Sequence, residues 1–195
     1  MQRRELLRIV GNAAVAVTAG GCSGNRSAYR MFSSAEAETL AALVNQIIPD
    51  DQTPGAVWAN VLRFLDRQIA HAYGNHRETY RLGLAALERS AQSVYQRRFA
   101  ALDFLEQEAL VERMETGNLP ADLWSELRPQ EFFRILRTHT MQGFYGDPRH
   151  GGNRDLVSWR MLGVPYPPVR GRDDYRFPKH PAPSQAHPFP AEQRL

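Results

Sequence analysis

Cysteine is almost absent from this 195-residue sequence, in which Cys22 is the only one. The chain therefore forms no internal disulfide, and it has no CxxCH motif for c-type haem. Runs of alternating apolar residues rich in Val, Ile and Thr, which would indicate strands, are also missing. The sequence thus predicts an all-α protein, and we expect no cofactor on this chain.

An excess of charge of one sign is missing from most of the chain as well. The formal net charge is +3 and the pI is about 9.3. Residues 1–22 contain three arginines and one glutamate, which leaves 21 basic and 20 acidic residues, a net charge of +1, for the rest. A nearly neutral body does not attract phosphate backbones, so we expect no nucleic-acid partner.

Long apolar runs are lacking, and the longest one, residues 9–20, is too short to span a bilayer. It follows Arg3 and Arg4, and together residues 1–22 resemble a twin-arginine export signal. The small residues before Cys22 resemble a lipoprotein cleavage box, so Cys22 is either lipidated or an idle residue near the cleavage point. We expect an exported, periplasmic chain that reaches the membrane only through a lipid or a complex.

Helical periodicity starts at Ser33, whose spacing to Glu36 fits a capping box. We expect a single helical domain of five to six helices over residues 33–164, after a linker at residues 23–32. The expected helices are 34–48, one from Pro54 to about Tyr73, 76–99, 104–115 capped by Asp103, a short helix at 119–127, and one from Pro129 to about Phe144. Residues 165–195 hold eight of the 13 prolines and form a proline-rich, extended tail in this interpretation.

The segment GFYGDPRHGGNRDLVSWRMLGVP, residues 143–165, combines glycines with aromatic residues and polar groups. A metal site would use His139, Asp147, His150 and Asp155, but no two of these have the spacing that places two ligands on one helix face. A phosphate cradle would use residues 151–153 before a helical run at 154–162. Neither a preceding strand nor a dinucleotide or GK[ST] motif supports that reading.

A docking loop is the third reading of this segment. Asp147 and Pro148 would set a turn, and Gly151 and Gly152 would allow close backbone approach, with positive φ at Gly152. Asn153 would cap the following helix, on which Trp159 would pack against Phe144 or Tyr145. The sequence leaves open whether this loop contacts a partner or only closes the helical bundle.

Two motifs within residues 32–168 resemble those of a known protein family. An early helix ends in Ile-Ile-Pro-Asp, with Thr-Pro-Gly-Ala shortly after it. Later come Gly-x-Tyr-x-Asp-Pro-x-x-Gly-Gly-Asn, a Trp six residues on, and Leu-Gly-x-Pro. The sequence resembles the gluconate 2-dehydrogenase subunit 3 family, small subunits of exported flavin-dependent sugar and polyol dehydrogenase complexes.

The resemblance implies a non-catalytic, accessory subunit of a membrane-associated dehydrogenase complex. FAD would lie on a GMC-type large subunit, and haem c on a multihaem cytochrome c that acts as a third subunit. The small subunit would escort the folded flavoprotein through the twin-arginine translocase and stabilise it. Two alternatives stay open: an independent envelope lipoprotein that binds a small ligand, and a small hydrolase or metal enzyme that uses His139, Asp147 and His150.

Overall fold

The computed structural model describes residues 28–164. In this part of the chain there are six α-helices and no strand, which confirms the all-α prediction. The signal segment, Cys22 and the proline-rich tail lie outside the described residues. The helices are α1 (Ser34–Ile47), α2 (Val61–Ala70), α3 (Arg77–Tyr95), α4 (Phe104–Thr116), α5 (Pro129–Tyr145) and α6 (Val157–Leu162). Short 3-10 turns lie at Gly74–His76, Phe99–Ala101, Pro148–His150 and Arg154–Leu156.

Capping residues fix the ends of two helices where the sequence predicts them. Ser33 and Glu36 form a complete capping box before α1, and Asp103 and Glu106 form another before α4. Each box satisfies two backbone N–H groups that would otherwise lack a partner at a helix start. Gly117 ends α4 in the left-handed conformation at φ 79°, as expected for a glycine at this position.

The second helix begins seven residues later than predicted, at Val61 rather than at Pro54. Residues 54–60 instead fold back onto the end of α1, where the Ala56 N–H donates to the Ile48 carbonyl at 2.9 Å. Asn60 then adopts a left-handed conformation at φ 66°, through which a right-handed helix does not continue. The apolar periodicity predicts the helix correctly only in its later part, because the residues of its first part form turns.

The short helix predicted at 119–127 is also wrong, because these residues form successive turns. The N–H groups of Leu123 and Trp124 donate to carbonyls three residues earlier, at 3.1 and 3.2 Å. Trp124 is buried, and its indole N–H donates to the Ser90 hydroxyl of α3 at 3.0 Å. This tertiary anchor fixes the connection between α4 and α5 in a form that local propensity does not indicate.

Helix α5 is the centre of the bundle and packs against α1, α2, α3 and α4. One face of α5 is fully buried at Phe132, Leu136 and Phe144. It meets the buried leucines of α1 and α3, so one hydrophobic core joins the helices. None of the helices described is both long and apolar enough to cross a bilayer. The C-terminal end of α5 lies beside α2 and carries the glycine-aromatic segment.

Candidate docking loop

The glycine-aromatic segment, described over residues 143–164, turns sharply where α5 ends. The Asp147 carboxylate accepts hydrogen bonds from the backbone N–H of Arg149 at 2.9 Å and from its guanidinium group. The bond from the Arg149 guanidinium, followed by the one from its backbone N–H, lowers the pKa of Asp147 below its ordinary value. Pro148 begins a single 3-10 turn after it, so Asp147 and Pro148 do start a turn.

Both glycines of the Gly-Gly pair are required, but for different reasons. Gly151 has φ 108°, a conformation that favours glycine, and positive φ is not found at Gly152, where we expected it. Gly152 instead lies against the backbone of α5, because a Cβ added to it would stand 2.1 Å from the Gly143 carbonyl oxygen. Gly143 is itself close to α2, where an added Cβ would stand 2.8 Å from the Phe64 ring.

Asn153 is the polar centre of the segment and is completely buried. Its Nδ2 donates to the Gly146 carbonyl at 2.9 Å, and its Oδ1 accepts from the Ser158 N–H at 3.0 Å and the Ser158 hydroxyl at 2.9 Å. Asn153 has φ 44°, which asparagine tolerates better than most residues. One side chain thus holds both ends of the segment and satisfies an N–H in the first turn of α6.

The helix predicted at 154–162 is divided into a 3-10 turn and α6. Asp155 and Leu156 have φ values of 53° and 60°, which interrupt a regular helix between its two parts. On α6, the Trp159 indole N–H donates to the Tyr145 carbonyl at 2.7 Å, while the Phe144 and Tyr145 rings meet edge to face at 4.9 Å. Trp159 is partly exposed, so α6 is tied to the end of α5 by a residue at the surface.

The segment also meets the Thr-Pro-Gly-Ala region, although about 95 residues separate them in the sequence. The Arg154 N–H donates to the Ala59 carbonyl at 3.1 Å, and the Arg154 guanidinium lies over the Trp58 ring at 4.2 Å. Arg67 of α2 donates to the Arg149 carbonyl at 3.3 Å. Arg154 and Trp58 are not among the site residues predicted from the sequence, since neither side chain belongs to a recognisable local motif.

Several apolar side chains around this segment face solvent. Their exposed fractions are 40% for Tyr145, 44% for Met161, 62% for Leu162 and 45% for Val164. Gly152 and Asn153 are buried, so they fix the conformation of the segment and are not exposed to another molecule. Side chains available to another molecule are therefore the exposed ones on α6 and at the end of α5.

The metal-site reading of this segment receives no support from the described residues. His139 is buried in α5, where the Tyr80 hydroxyl lies 3.1 Å from its Nδ1 and Tyr73 stacks on it at 4.4 Å. Burial, followed by the nearby His76, lowers the pKa of His139 to about 4. Over residues 28–164 no three His, Cys, Asp or Glu side chains are placed to hold a metal ion.

A phosphate cradle at the start of α6 is not formed either. Asn153 already accepts the hydrogen bond from the Ser158 N–H, which an anion would need. The helix is only six residues long and follows left-handed residues instead of a strand. The segment is a loop held by internal hydrogen bonds, and it carries an exposed apolar edge.

Comparison with known proteins extends what the geometry indicates. Neither the curated proteins nor the solved structures give a match to this chain. The family model for gluconate 2-dehydrogenase subunit 3 matches residues 34–165, which is more than half of the sequence. This range includes both motifs, and Arg154, which follows the second motif, contacts Trp58 and Ala59, which come shortly after the first. The chain therefore belongs to the gluconate 2-dehydrogenase subunit 3 family.

Proposed function

We propose that this chain is the non-catalytic small subunit of a membrane-associated, FAD-dependent dehydrogenase of sugars or polyols. Membership of the subunit 3 family indicates an accessory subunit of a dehydrogenase complex. In the proposal FAD lies on a GMC-type large subunit, and a multihaem cytochrome c is the third member. The small subunit binds the flavoprotein and stabilises it, whereas the choice of substrate belongs to the large subunit.

The observation that carries the proposal is the exposed apolar edge of the loop. This edge consists of Tyr145, Met161, Leu162 and Val164. Contiguous exposed apolar side chains beside polar ones are typical of protein–protein interaction sites. Asn153 and the bond from Trp159 to Tyr145 hold this edge in place before any partner arrives. A preformed surface loses little conformational entropy on binding, which favours a stable complex.

A pair of surface variants tests this interface. In Met161→Asp/Leu162→Asp, two exposed apolar side chains become charged, and we expect the flavoprotein to be lost from pull-downs. The matched control is Val94→Asp on α3, where a valine is 42% exposed and belongs to a different surface. Both proteins should give the circular dichroism spectrum of the wild type, because exposed substitutions change stability by less than about 0.5 kcal/mol. Normal flavoprotein binding by the double Asp variant would refute this interface.

The same proposal includes escort through the twin-arginine route, and its support is the sequence of residues 1–22. The apolar stretch after Arg3 and Arg4 is diluted by Gly11, Asn12 and alanines, which makes it a poor substrate for export of unfolded chains. The twin-arginine route moves folded proteins, and a flavoprotein that acquires FAD inside the cell must cross folded. Any lipid on Cys22 would add membrane attachment after export.

Replacing Arg3 and Arg4 by Lys tests the escort role. Lysine keeps the charge but lacks the planar guanidinium with its several donors. We expect the flavoprotein to accumulate in the cytoplasm although its own sequence is unchanged. The measurement is dehydrogenase activity with an artificial electron acceptor in separated cell fractions. Full periplasmic activity with the double Lys variant would remove the escort role and leave the subunit interface to be judged by pull-down.

A further inference from the structure

A second surface, away from the glycine-aromatic segment, is a groove of about 590 Å³ between the end of α1, one face of α4 and the middle of α5. Its floor is apolar, with Ile47 from α1 and Phe133 from α5. On the α4 side Phe104 and Leu105 are 46% and 71% exposed, although both are large apolar side chains. Phe104 and Leu105 therefore offer apolar surface that nothing among the described residues covers.

The rim of this groove is acidic. Glu108, Glu112 and Glu115 recur at the i, i+4, i+7 spacing of one helix face, and all three line the groove. Glu115 forms an ion pair with Arg137 of α5 at 3.3 Å. Glu108 and Glu112 form no ion pair with any residue in 28–164. Two adjacent like charges therefore stand beside exposed aromatic and aliphatic carbon, a combination that selects a ligand with basic and aromatic groups.

The chain itself carries a segment of this chemistry. Residues 165–195 contain five basic and three acidic residues; residues 170–179 hold four of the basic and two of the acidic ones, a net charge of +2. The run Tyr175-Arg176-Phe177-Pro178-Lys179 combines two aromatic and two basic side chains and contains no acidic residue. Its aromatic rings match the exposed Phe104 and Leu105, and its two cations match Glu108 and Glu112.

The length of chain between the two regions permits the contact. Ten residues separate Val164, the last described residue, from Tyr175, and they span up to about 33 Å when extended. Trp159 ties α6 to Tyr145 at the end of α5. Arg137, at the edge of the groove, is eight residues before Tyr145 on that helix, or about 12 Å along its axis.

We propose that the acidic-rimmed groove between α1, α4 and α5 binds residues 175–179 of the same chain. Tyr175 and Phe177 cover Phe104 and Leu105, while Arg176 and Lys179 pair with Glu108 and Glu112. In this contact the chain's own C-terminal residues would cover an exposed apolar surface of the small subunit. The contact is independent of the flavoprotein interface proposed above.

Limited trypsin digestion of the full-length chain tests this contact with a control inside the same protein. Cleavage after Arg176 and Lys179 should be slow, whereas cleavage after Arg170, which lies outside the bound segment, should be fast. In Glu108→Lys/Glu112→Lys we expect cleavage after Arg176 to accelerate by at least about threefold, since two attractions become repulsions. Cleavage after Arg170 should not change. The control Asp122→Lys/Glu126→Lys makes the same charge change on exposed residues elsewhere and should leave both rates unaltered.

A crosslinking measurement covers the case in which the charge variant loses its fold. In a Cys22→Ser background, Leu105→Cys/Pro178→Cys should form an intrachain disulfide at low protein concentration, whereas Glu126→Cys/Pro178→Cys should not. Equal cleavage after Arg170 and Arg176 in the wild type, together with no crosslink at Leu105→Cys, would overturn the proposal. Disulfide dimers in place of the intrachain bond, or protection that disappears on dilution, would assign the groove to a second copy and would overturn it too.

Discussion

Adding one methyl group at position 152 tests how closely the loop approaches α5. In Gly152→Ala the new Cβ would stand 2.1 Å from the Gly143 carbonyl oxygen, whereas real Cβ contacts stay beyond 3.0 Å. The atom in its way is backbone, so no side chain can rotate to make room. Gly152 has no positive φ, which means that the substitution tests contact rather than backbone conformation. The loop or α5 must therefore move by about 1 Å, and overpacking of this kind costs about 1 to 3 kcal/mol.

Urea unfolding followed by circular dichroism measures this cost. The matched control is Gly74→Ala, where the nearest atom to an added Cβ is 3.8 Å away on the Arg77 side chain. We expect the control to change the free energy of unfolding by less than about 0.5 kcal/mol and Gly152→Ala to lower it by about 1 to 3 kcal/mol. If both variants unfold at the urea concentration of the wild type, the loop does not touch the backbone of α5 at Gly143.

Two further predictions concern buried polar groups. Asn153→Ala leaves the Gly146 carbonyl and the buried Ser158 groups without their partner, so urea unfolding should show a loss of about 2 to 4 kcal/mol; a loss below about 1 kcal/mol would contradict this network. His139, which faces Tyr73, Tyr80 and His76, has a folded pKa of about 4 against an ordinary 6.5. The unfolded chain therefore binds the proton more readily than the folded one. The contribution of His139 to the free energy of unfolding is fully present above pH 6.5 and is lost as the pH drops towards 4. Between pH 7.5 and 5.5 the wild type should lose about 1 kcal/mol more than His139→Gln does, and equal losses would show that His139 is not buried as a neutral side chain.

Local signals predicted those parts of the fold that local chemistry decides. Ser33 and Asp103 cap their helices because their partners, Glu36 and Glu106, are three residues away. Pro129 opens α5 because the first helical position needs no N–H donor. Each of these interactions lies within one helical turn, where the sequence contains all the information.

Tertiary contacts decided the regions where prediction failed. The Trp124 indole donates a hydrogen bond to Ser90, 34 residues away, and with this contact residues 119–127 form turns instead of the expected short helix. The buried Asp66 accepts hydrogen bonds from the N–H groups of Arg30 and Met31, a contact over 35 residues that no periodicity indicates. Side chains with distant partners therefore limit what a single sequence reveals about element boundaries.

The loop shows the same division. The sequence predicts structural roles for Asn153 and Trp159, whose partners are close along the chain. Asn153 bonds to Gly146 and Ser158, and Trp159 bonds to Tyr145. The placement of Arg154 over Trp58 depends on how α2 packs against α5, so it becomes visible only in three dimensions. The position of positive φ also could not be assigned, because either glycine of a Gly-Gly pair can adopt it.

The most direct test of the subunit assignment is purification of this chain with and without its proposed flavoprotein partner. Produced alone, the small subunit should be colourless and have no dehydrogenase activity. Produced together, the two chains should elute from gel filtration as one yellow, stoichiometric complex that reduces an artificial electron acceptor when a sugar or polyol is supplied. Flavin absorbance or turnover that stays with the isolated small subunit, or separate elution of the two chains, would contradict the account.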